Sequence, residues 1–269
     1  MTARPWRTGT LAITGADGHV GRHLQHRLAG FPNPVRPLSQ EDDWRTGVAD
    51  AEAVIHLAGT LQPRRPNTYE VANVGTVRRL TETLSDSAVQ RVVLLSYAGA
   101  DPDSANAYLR TKGEAEELIR RTGIPAVILR ATFIYGDPDD IGPSFASYQG
   151  KTVSVLGDGT QKLAPLHVDY LTEILVAAAL DPEAPVGTFE VGGPDIVTID
   201  QFVQQINPDE VRIRHLSPTM ARLLARIVPS LTPALVDVLL ADSLPAGDPT
   251  ETAARFEVSV RHRMDGMAT

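Results

Sequence analysis

Tyr108 and Lys112 stand four residues apart in the run Tyr108-Leu-Arg-Thr-Lys112. On a helix, positions i and i+4 share a face, so a phenol and an ammonium group lie side by side. A cation beside a phenol favours the phenolate and draws its pKa down from the usual value of about 10. A tyrosine tuned in this way donates or accepts a proton at a carbinol or carbonyl carbon near neutral pH. The lysine can also hydrogen-bond a ribose. Many surface helices carry this spacing by chance, so its weight depends on the rest of the chain.

A glycine-rich turn supplies that weight. The segment Thr14-Gly15-Ala16-Asp17-Gly18-His19-Val20-Gly21-Arg22 follows the apolar run Thr10-Leu-Ala-Ile-Thr14 and opens a helical pattern from Val20 to Ala29. Such a turn presents backbone N–H groups and a helix N-terminus to a diphosphate. The spacing is GxxGxxG. Gly15 permits the tight turn, Gly18 lets backbone approach the phosphates, and Gly21 allows close helix–strand packing. Asp17, His19, Val20 and Arg22 join them as cofactor-binding candidates. Three glycines also serve as plain turn punctuation, a reading that the other motifs oppose.

Composition narrows the function classes. The 269 residues are enough for one large domain, or one domain with a small lobe. Net charge is −8 and no block of Lys or Arg occurs, which argues against a nucleic-acid surface. Cysteine is absent, so disulfides, thiolate metal sites and a cysteine nucleophile are excluded, and no metal site is expected. Met1–Thr8 lacks an apolar signal core, and no apolar run is long enough to span a bilayer. The expectation is a cytoplasmic protein whose partner is a small-molecule substrate, with a homodimer left open.

Elements that could position these groups alternate along the chain, which predicts an α/β fold with a parallel sheet. Strands are expected at Leu11–Thr14, Pro34–Leu38, Ala53–Leu57, Arg91–Ser96 and Ala126–Arg130. Helices are expected at His19–Ala29, Thr68–Leu84 and Ala105–Arg121. The stretch from Leu38 to Ala53 is short, so a strand there is brief or missing. From about Asp137 the texture changes and predicts a small lobe. Thr152–Leu156, Phe189–Val191 and Val211–Ile213 read as strands. Asp169–Leu180, with Asp169 as N-cap, and Ser217–Val228 and Thr232–Ala241 read as helices, with Pro229 as a breaker. The tail from Pro245 reads as loose.

With these motifs in place, the sequence resembles the short-chain dehydrogenase/reductase superfamily on its extended or atypical branch. The likeness is to nucleoside-diphosphate-sugar epimerase-like and complex I accessory-subunit-like proteins. It runs through Thr14–Gly21, His56-Leu-Ala-Gly59, Asn73-Val-Gly-Thr76, Leu95–Ala100, Tyr108–Lys112, Leu129–Gly136 and His167-Val-Asp169. The resemblance implies a Rossmann doubly wound parallel sheet, bound NAD or NADP, and a small C-terminal substrate lobe. It implies that Gly15, Gly18 and Gly21 cradle the diphosphate and that Leu57, Ala58 and Gly59 line the cofactor ribose. Asn73 would prop the site, Tyr108 would be the acid/base and Lys112 its partner. Ala131, Thr132 and Phe133 would border the nicotinamide, and His167 would stand where the two lobes meet. Family enzymes usually carry a Ser or Thr hydroxyl after the strand that ends at Ser96. Here Tyr97 follows Ser96, so both are catalytic candidates. Only eleven residues separate Ser96 from Tyr108, where family enzymes often carry a longer lid.

Cofactor choice turns on the end of the second strand, Val35-Arg36-Pro37-Leu38-Ser39-Gln40. An acid there would bond the ribose 2′-OH and repel a 2′-phosphate. Ser39 is not acidic, and Arg22 and Arg36 could reach a 2′-phosphate, whereas Glu41, Asp42 and Asp43 oppose it. The balance leans to NADP over NAD. The alternative role for Asp42 or Asp43 is to meet the adenine amino group.

The remaining polar residues have blander readings. His19 and His23 read as solvated helix positions, His56 as a satisfied core histidine, and Glu114–Glu117 as a solvated face. The apolar helices from Met220 to Leu240 read as packing over a substrate cleft. Ser96 lacks the GxSxG surroundings of a hydrolase. Two functions are expected. One is an NAD(P)-dependent oxidoreductase or epimerase/dehydratase-like enzyme that moves hydride on a small carbonyl, hydroxyl or sugar-type substrate. The other is a cofactor-loaded regulatory or assembly module with little turnover.

Overall fold

In the computed structural model, which describes residues 7–63, 67–137, 139–207, 209–228 and 231–259, short Val-, Ile- and Leu-rich runs form strands covered on both faces. The first half runs β1 (Thr10–Thr14), α1 (His19–Leu28), β2 (Val35–Leu38), α2 (Trp44–Val48), β3 (Ala51–His56), α3 (Thr76–Leu84), β4 (Arg91–Tyr97), α4 (Ala107–Arg121) and β5 (Ala126–Ala131). The second half runs β6 (Ile134–Tyr135), β7 (Thr152–Leu156), β8 (Lys162–Leu163), β9 (Leu166–His167), α5 (Val168–Leu180) and β10 (Gly187–Val191). It ends with β11 (Val197–Thr198), α6 (Ile199–Gln205), β12 (Arg212–Leu216), α7 (Pro218–Leu224), α8 (Pro233–Leu240) and α9 (Pro249–Arg255).

Six strands form one parallel sheet in the order β2-β1-β3-β4-β5-β10. Ala12 of β1 pairs with Arg36 on one side and Val54 on the other. The chain therefore leaves β1 in one direction and returns on its opposite flank as β3. That reversal opens a crevice beyond the carboxyl ends of these two strands. The short Leu38–Ala53 stretch holds α2 rather than a strand, and β2 is the sheet edge. An edge strand tolerates Pro37, which has no N–H to offer a ladder.

Apolar side chains cover both faces. On one side, α5 is buried nearly all round, with Leu171, Ile174, Leu175 and Ala178 packed with Leu24 of α1, Ile13 of β1 and Val93 of β4. On the other, Trp44, Val77, Leu80, Ala115 and Ile119 form the core beneath α2, α3 and α4.

Several local expectations change for physical reasons. The helix expected over Thr68–Leu84 is divided into a π turn, Glu70–Gly75, and α3. α5 starts one residue early. His167 caps it, its Nδ1 accepting from the Asp169 N–H at 3.2 Å, and Asp169 lies in the first turn. Glu116 is not solvated. It is fully buried, and accepts from Arg130 Nε at 2.9 Å, Arg130 Nη2 at 2.8 Å, Arg120 Nη2 at 2.8 Å and Ser96 Oγ at 2.5 Å. A buried carboxylate persists only with such partners.

Beyond β5, two short parallel pairs (β7 with β12, β6 with β9) and the antiparallel pair β8–β11 surround Tyr135, Phe145, Tyr148 and Phe202. α8 buries Leu235, Val236 and Val238, but Met220 and Leu223 of α7 are exposed, so only part of the Met220–Leu240 stretch packs inward. The segment after Pro245 is ordered through α9, where Phe256 meets Phe189 at 5.2 Å. Pro229 lies outside the described residues. Among those described, no helix is long and apolar enough to cross a membrane.

Candidate cofactor and active site

The first turn is built around backbone approach. Gly15 has φ +74°, and a Cβ there would sit 2.6 Å from the Ala58 nitrogen. A Cβ on Gly21 would sit 2.5 Å from the carbonyl oxygens of both Gly15 and Ala16. Only glycine fits either place. Gly18 donates its N–H to Gly15 O at 3.1 Å and precedes α1, whose N-terminus has no side-chain cap. An uncapped N-terminus carries partial positive charge and unsatisfied donors, the features that receive a diphosphate.

That turn borders a cavity of about 260 Å³. Gly15, Gly18, His19, Val20 and Gly21 form one wall. Leu57 and Gly59 border it from the end of β3, and Leu95, Ser96 and Tyr97 from β4. Tyr108 and Lys112 of α4 and Ala131, Thr132 and Phe133 after β5 complete it. Ala58 lies behind the wall, against Gly15. A neighbouring cavity of about 480 Å³ shares Gly59, Thr60 and Leu61 and reaches Gln40 beyond β2. Asn73, on the π turn, accepts from the Thr60 N–H at 2.9 Å and donates to Thr111 Oγ1 at 3.1 Å. It thereby pins the loop after β3 to α4. One extra residue per turn re-aims a side chain, a common use of π segments at sites.

Tyr108 and Lys112 reach the cavity together, but their electrostatics differ from the expectation. Burial pushes the Tyr108 phenol well above its ordinary range, and the nearby Tyr97 and Tyr69 push it further. Burial lowers Lys112 to about 8, against an upward pull from Glu116. The ammonium group donates to Leu95 O at 2.7 Å. The lysine is thus committed to a backbone carbonyl, and desolvation of the phenol dominates.

Neither hydroxyl candidate at the end of β4 is free. Ser96 borders the cavity but donates its hydroxyl to Glu116. The Tyr97 ring meets Tyr108 edge-on at 5.2 Å and Phe133 at 5.8 Å. Its hydroxyl lies 3.2 Å from Ser243 Oγ, from the segment after α8. Burial pushes this phenol upward too. Tyr69 closes the aromatic group, 5.6 Å from Tyr108, and donates to Leu61 O at 3.0 Å. Ser243 carries no local signal because its partner Tyr97 lies 146 positions away, and Tyr69 joins the site only through the packing of its ring on Tyr108.

At the far end, Arg36 is not available to a 2′-phosphate, because it binds Asp50 Oδ1 at 2.5 Å and Gly47 O at 2.8 Å. Arg22 donates to Asp17 O at 2.9 Å beside the glycine turn. The Ser39 N–H donates to Asp42 Oδ2 at 2.6 Å, so the chain brings a carboxylate to the end of β2 after all. Asp43 caps α2 through the Arg45 N–H. Arg79 stacks on Trp44 at 4.4 Å and donates to the carbonyls of Gln40 and Asp42, both at 2.5 Å. No sequence signal marks Arg79.

The histidines divide. His56 is buried as a core residue, with Nδ1 2.7 Å from Thr14 Oγ1, and burial lowers it to about 3. His167 meets Tyr135 edge-on at 5.0 Å and lies 3.5 Å from Asp137. His19 and His23 are not solvated: their side chains are 6 % and 21 % exposed, and both face Asp140.

The profile of the NAD dependent epimerase/dehydratase family matches residues 11–192. The chain is 29% identical over 191 residues to an Arabidopsis thaliana protein, NADH dehydrogenase (ubiquinone) 1 alpha subcomplex subunit 9, mitochondrial. That match covers 68% of this chain and 47% of the plant protein. It is 27% identical over 198 residues to the ceramide reductase of Caulobacter vibrioides, covering 65% of this chain and 62% of that protein. The chain thus spans less than two thirds of the length of either relative. Among solved structures, the human epimerase family protein SDR39U1 (isoform 2) with NADPH superposes with a TM-score of 0.75. It shares 16% identity over 96% of this chain and 99% of its own.

Proposed function

Because the chain belongs to the NAD dependent epimerase/dehydratase family, we propose that it binds NAD(P) along the β1–β3 crevice and acts as an oxidoreductase on a small carbonyl, hydroxyl or sugar-type substrate. The carrying observation is that one cavity is walled by both the first-turn glycines and the Tyr108–Lys112 pair. The residues fit the cofactor: side chains at Gly15 and Gly21 would fill the approach, and the α1 N-terminus is uncapped. Bound NAD(P) supplies or takes up a hydride at its nicotinamide ring.

The chain's own groups do the rest. The α1 N-terminus and glycine turn hold the diphosphate. Lys112, released from Leu95 O, binds the ribose. Tyr108 holds a proton at the substrate oxygen and gives it up as the carbonyl becomes an alcohol, or takes it in reverse. A raised phenol pKa suits the donor direction, since the protonated form prevails at neutral pH. Tyr97, Phe133 and Tyr69 keep water from the reacting carbon. The lobe from about residue 137 contributes the substrate contacts. Asp42, brought to Ser39, supports NAD over NADP in this reading, because a carboxylate there repels a 2′-phosphate.

A second reading has its own support. The Tyr97 hydroxyl is tied to Ser243, Lys112 is tied to Leu95 O, and the plant relative carries the name of a respiratory-complex subunit. A cofactor-loaded module with little turnover accounts for these contacts. One experiment separates the readings: calorimetry with NADH and NADPH, then turnover over a panel of small carbonyls and alcohols. Saturable binding with activity, lost roughly 10² to 10⁴-fold in Tyr108→Phe at unchanged cofactor affinity, supports the enzyme. Binding without turnover supports the module. No binding overturns both.

A further inference from the structure

At the start of α1 the chain carries two imidazoles at i and i+4, His19, which borders the same cavity, and His23. His19 Nδ1 lies 3.3 Å from Asp140 Oδ1, and His23 Nε2 lies 3.2 Å from Asp140 Oδ2. One ligand atom from each of the three residues lies within 4.8 Å of the others. Zinc holds nitrogen and oxygen ligands at about 2.0–2.2 Å, which sets neighbouring ligands of a tetrahedron about 3.4 Å apart. Each histidine approaches one oxygen of the Asp140 carboxylate at close to that span, His19 towards Oδ1 and His23 towards Oδ2.

Two further observations point to a ligand. Both ring nitrogens of His19 are buried without a hydrogen-bond partner, although its side chain is 94 % covered. A buried imidazole ordinarily satisfies at least one nitrogen. The contact to Asp140 has the distance but not the direction of a hydrogen bond. The second observation is Asp169, whose Oδ1 lies 3.7 Å from His23 Nδ1, the ring nitrogen turned away from Asp140. Metal-bound histidines usually present their other ring nitrogen to such a carboxylate, which fixes ring and tautomer.

We propose that His19, His23 and Asp140 form a binding site for a zinc-like divalent transition-metal ion, with Asp169 as the positioning residue for His23. Three protein ligands leave a fourth position for water or an anion. The ion would clasp α1 to the loop before Gly142. Arg22, 3.8 Å from Asp140 and bonded to Asp17 O at 2.9 Å, is the cation beside Asp140 that the metal displaces.

The test uses the full, tag-free chain with Zn²⁺ by calorimetry and Co²⁺ by visible absorption. One equivalent of Zn²⁺ should bind at micromolar concentrations or tighter, raise the unfolding midpoint, and be displaced by protons below pH 6. Co²⁺ should show the intense visible bands of a tetrahedral site. The His19→Gln/His23→Gln pair should abolish uptake, and Asp169→Asn should weaken it about tenfold. The His215→Gln variant, which removes a separate surface His–Asp pair, should bind as wild type. The absence of saturable Zn²⁺ binding overturns the site. So does uptake that survives in a folded His19→Gln/His23→Gln protein.

Discussion

Tyr108 and His56 show how far burial alone can move a titration. Both are fully enclosed, and in both desolvation is the first cause of the shift, upward for the acid and downward for the base. For His56 the consequence is measurable. Its pKa is about 3 in the fold against 6.5 in the unfolded chain. Below pH 6.5 the unfolded state takes up a proton that the folded state refuses, so stability falls as pH drops towards 3. Between pH 6.5 and 5 this one group should remove about 1.6 kcal/mol. Urea unfolding at the two pH values should show that loss in the wild type. His56→Gln should lack about that much of the pH slope. An unchanged slope in the variant would mean that other groups carry the acid sensitivity.

The glycine turn and its helix carry the next prediction. A Cβ on Gly21 meets two carbonyl oxygens at 2.5 Å, whereas one on Gly18 meets only Gly15 O, at 3.2 Å. Gly21→Ala should therefore force the backbone apart and cost on the order of 1–3 kcal/mol in denaturant unfolding, with loss of NAD(P) binding. Gly18→Val should unfold close to the wild type yet bind NAD(P) far more weakly in calorimetry. Equal damage to stability by both would remove the distinction between a packing glycine and a phosphate glycine. This element was legible beforehand because its pattern is local: an apolar strand, three spaced glycines and a helix all lie within Thr10–Leu28. Tyr108 and Lys112 were legible for the same reason. Glu116 was not, because its partners Ser96 and Arg130 arrive from two strands. The facing of His23 and Asp140 was equally hidden, since they lie 117 positions apart. The π turn was invisible because hydrophobic spacing cannot tell one extra residue per turn from an ordinary helix.

At the scale of the molecule, one segment joins the two halves. Ser243 donates its N–H to Lys162 O at 2.8 Å, accepts from the Ala164 N–H at 3.0 Å, and meets the Tyr97 hydroxyl. Ser243→Ala keeps the backbone bonds and should cost about 1 kcal/mol, the value of one buried hydroxyl contact. Ser243→Pro removes the donor to Lys162, and should free the segment and speed limited proteolysis after α8. Identical cleavage rates in wild type and Ser243→Pro would show that the segment is held elsewhere. The alternation of strands and helices forecast the sheet, whereas this tie depends on contacts no periodicity encodes. The same tie sets an order of events during synthesis. A ribosome that has delivered the chain through Val191 has released every strand of the parallel sheet and the whole diphosphate turn. Tyr97 must still wait for a residue 146 positions further on before its hydroxyl is held. Chain order thus completes the dinucleotide turn and the parallel sheet before the aromatic chamber has its last wall.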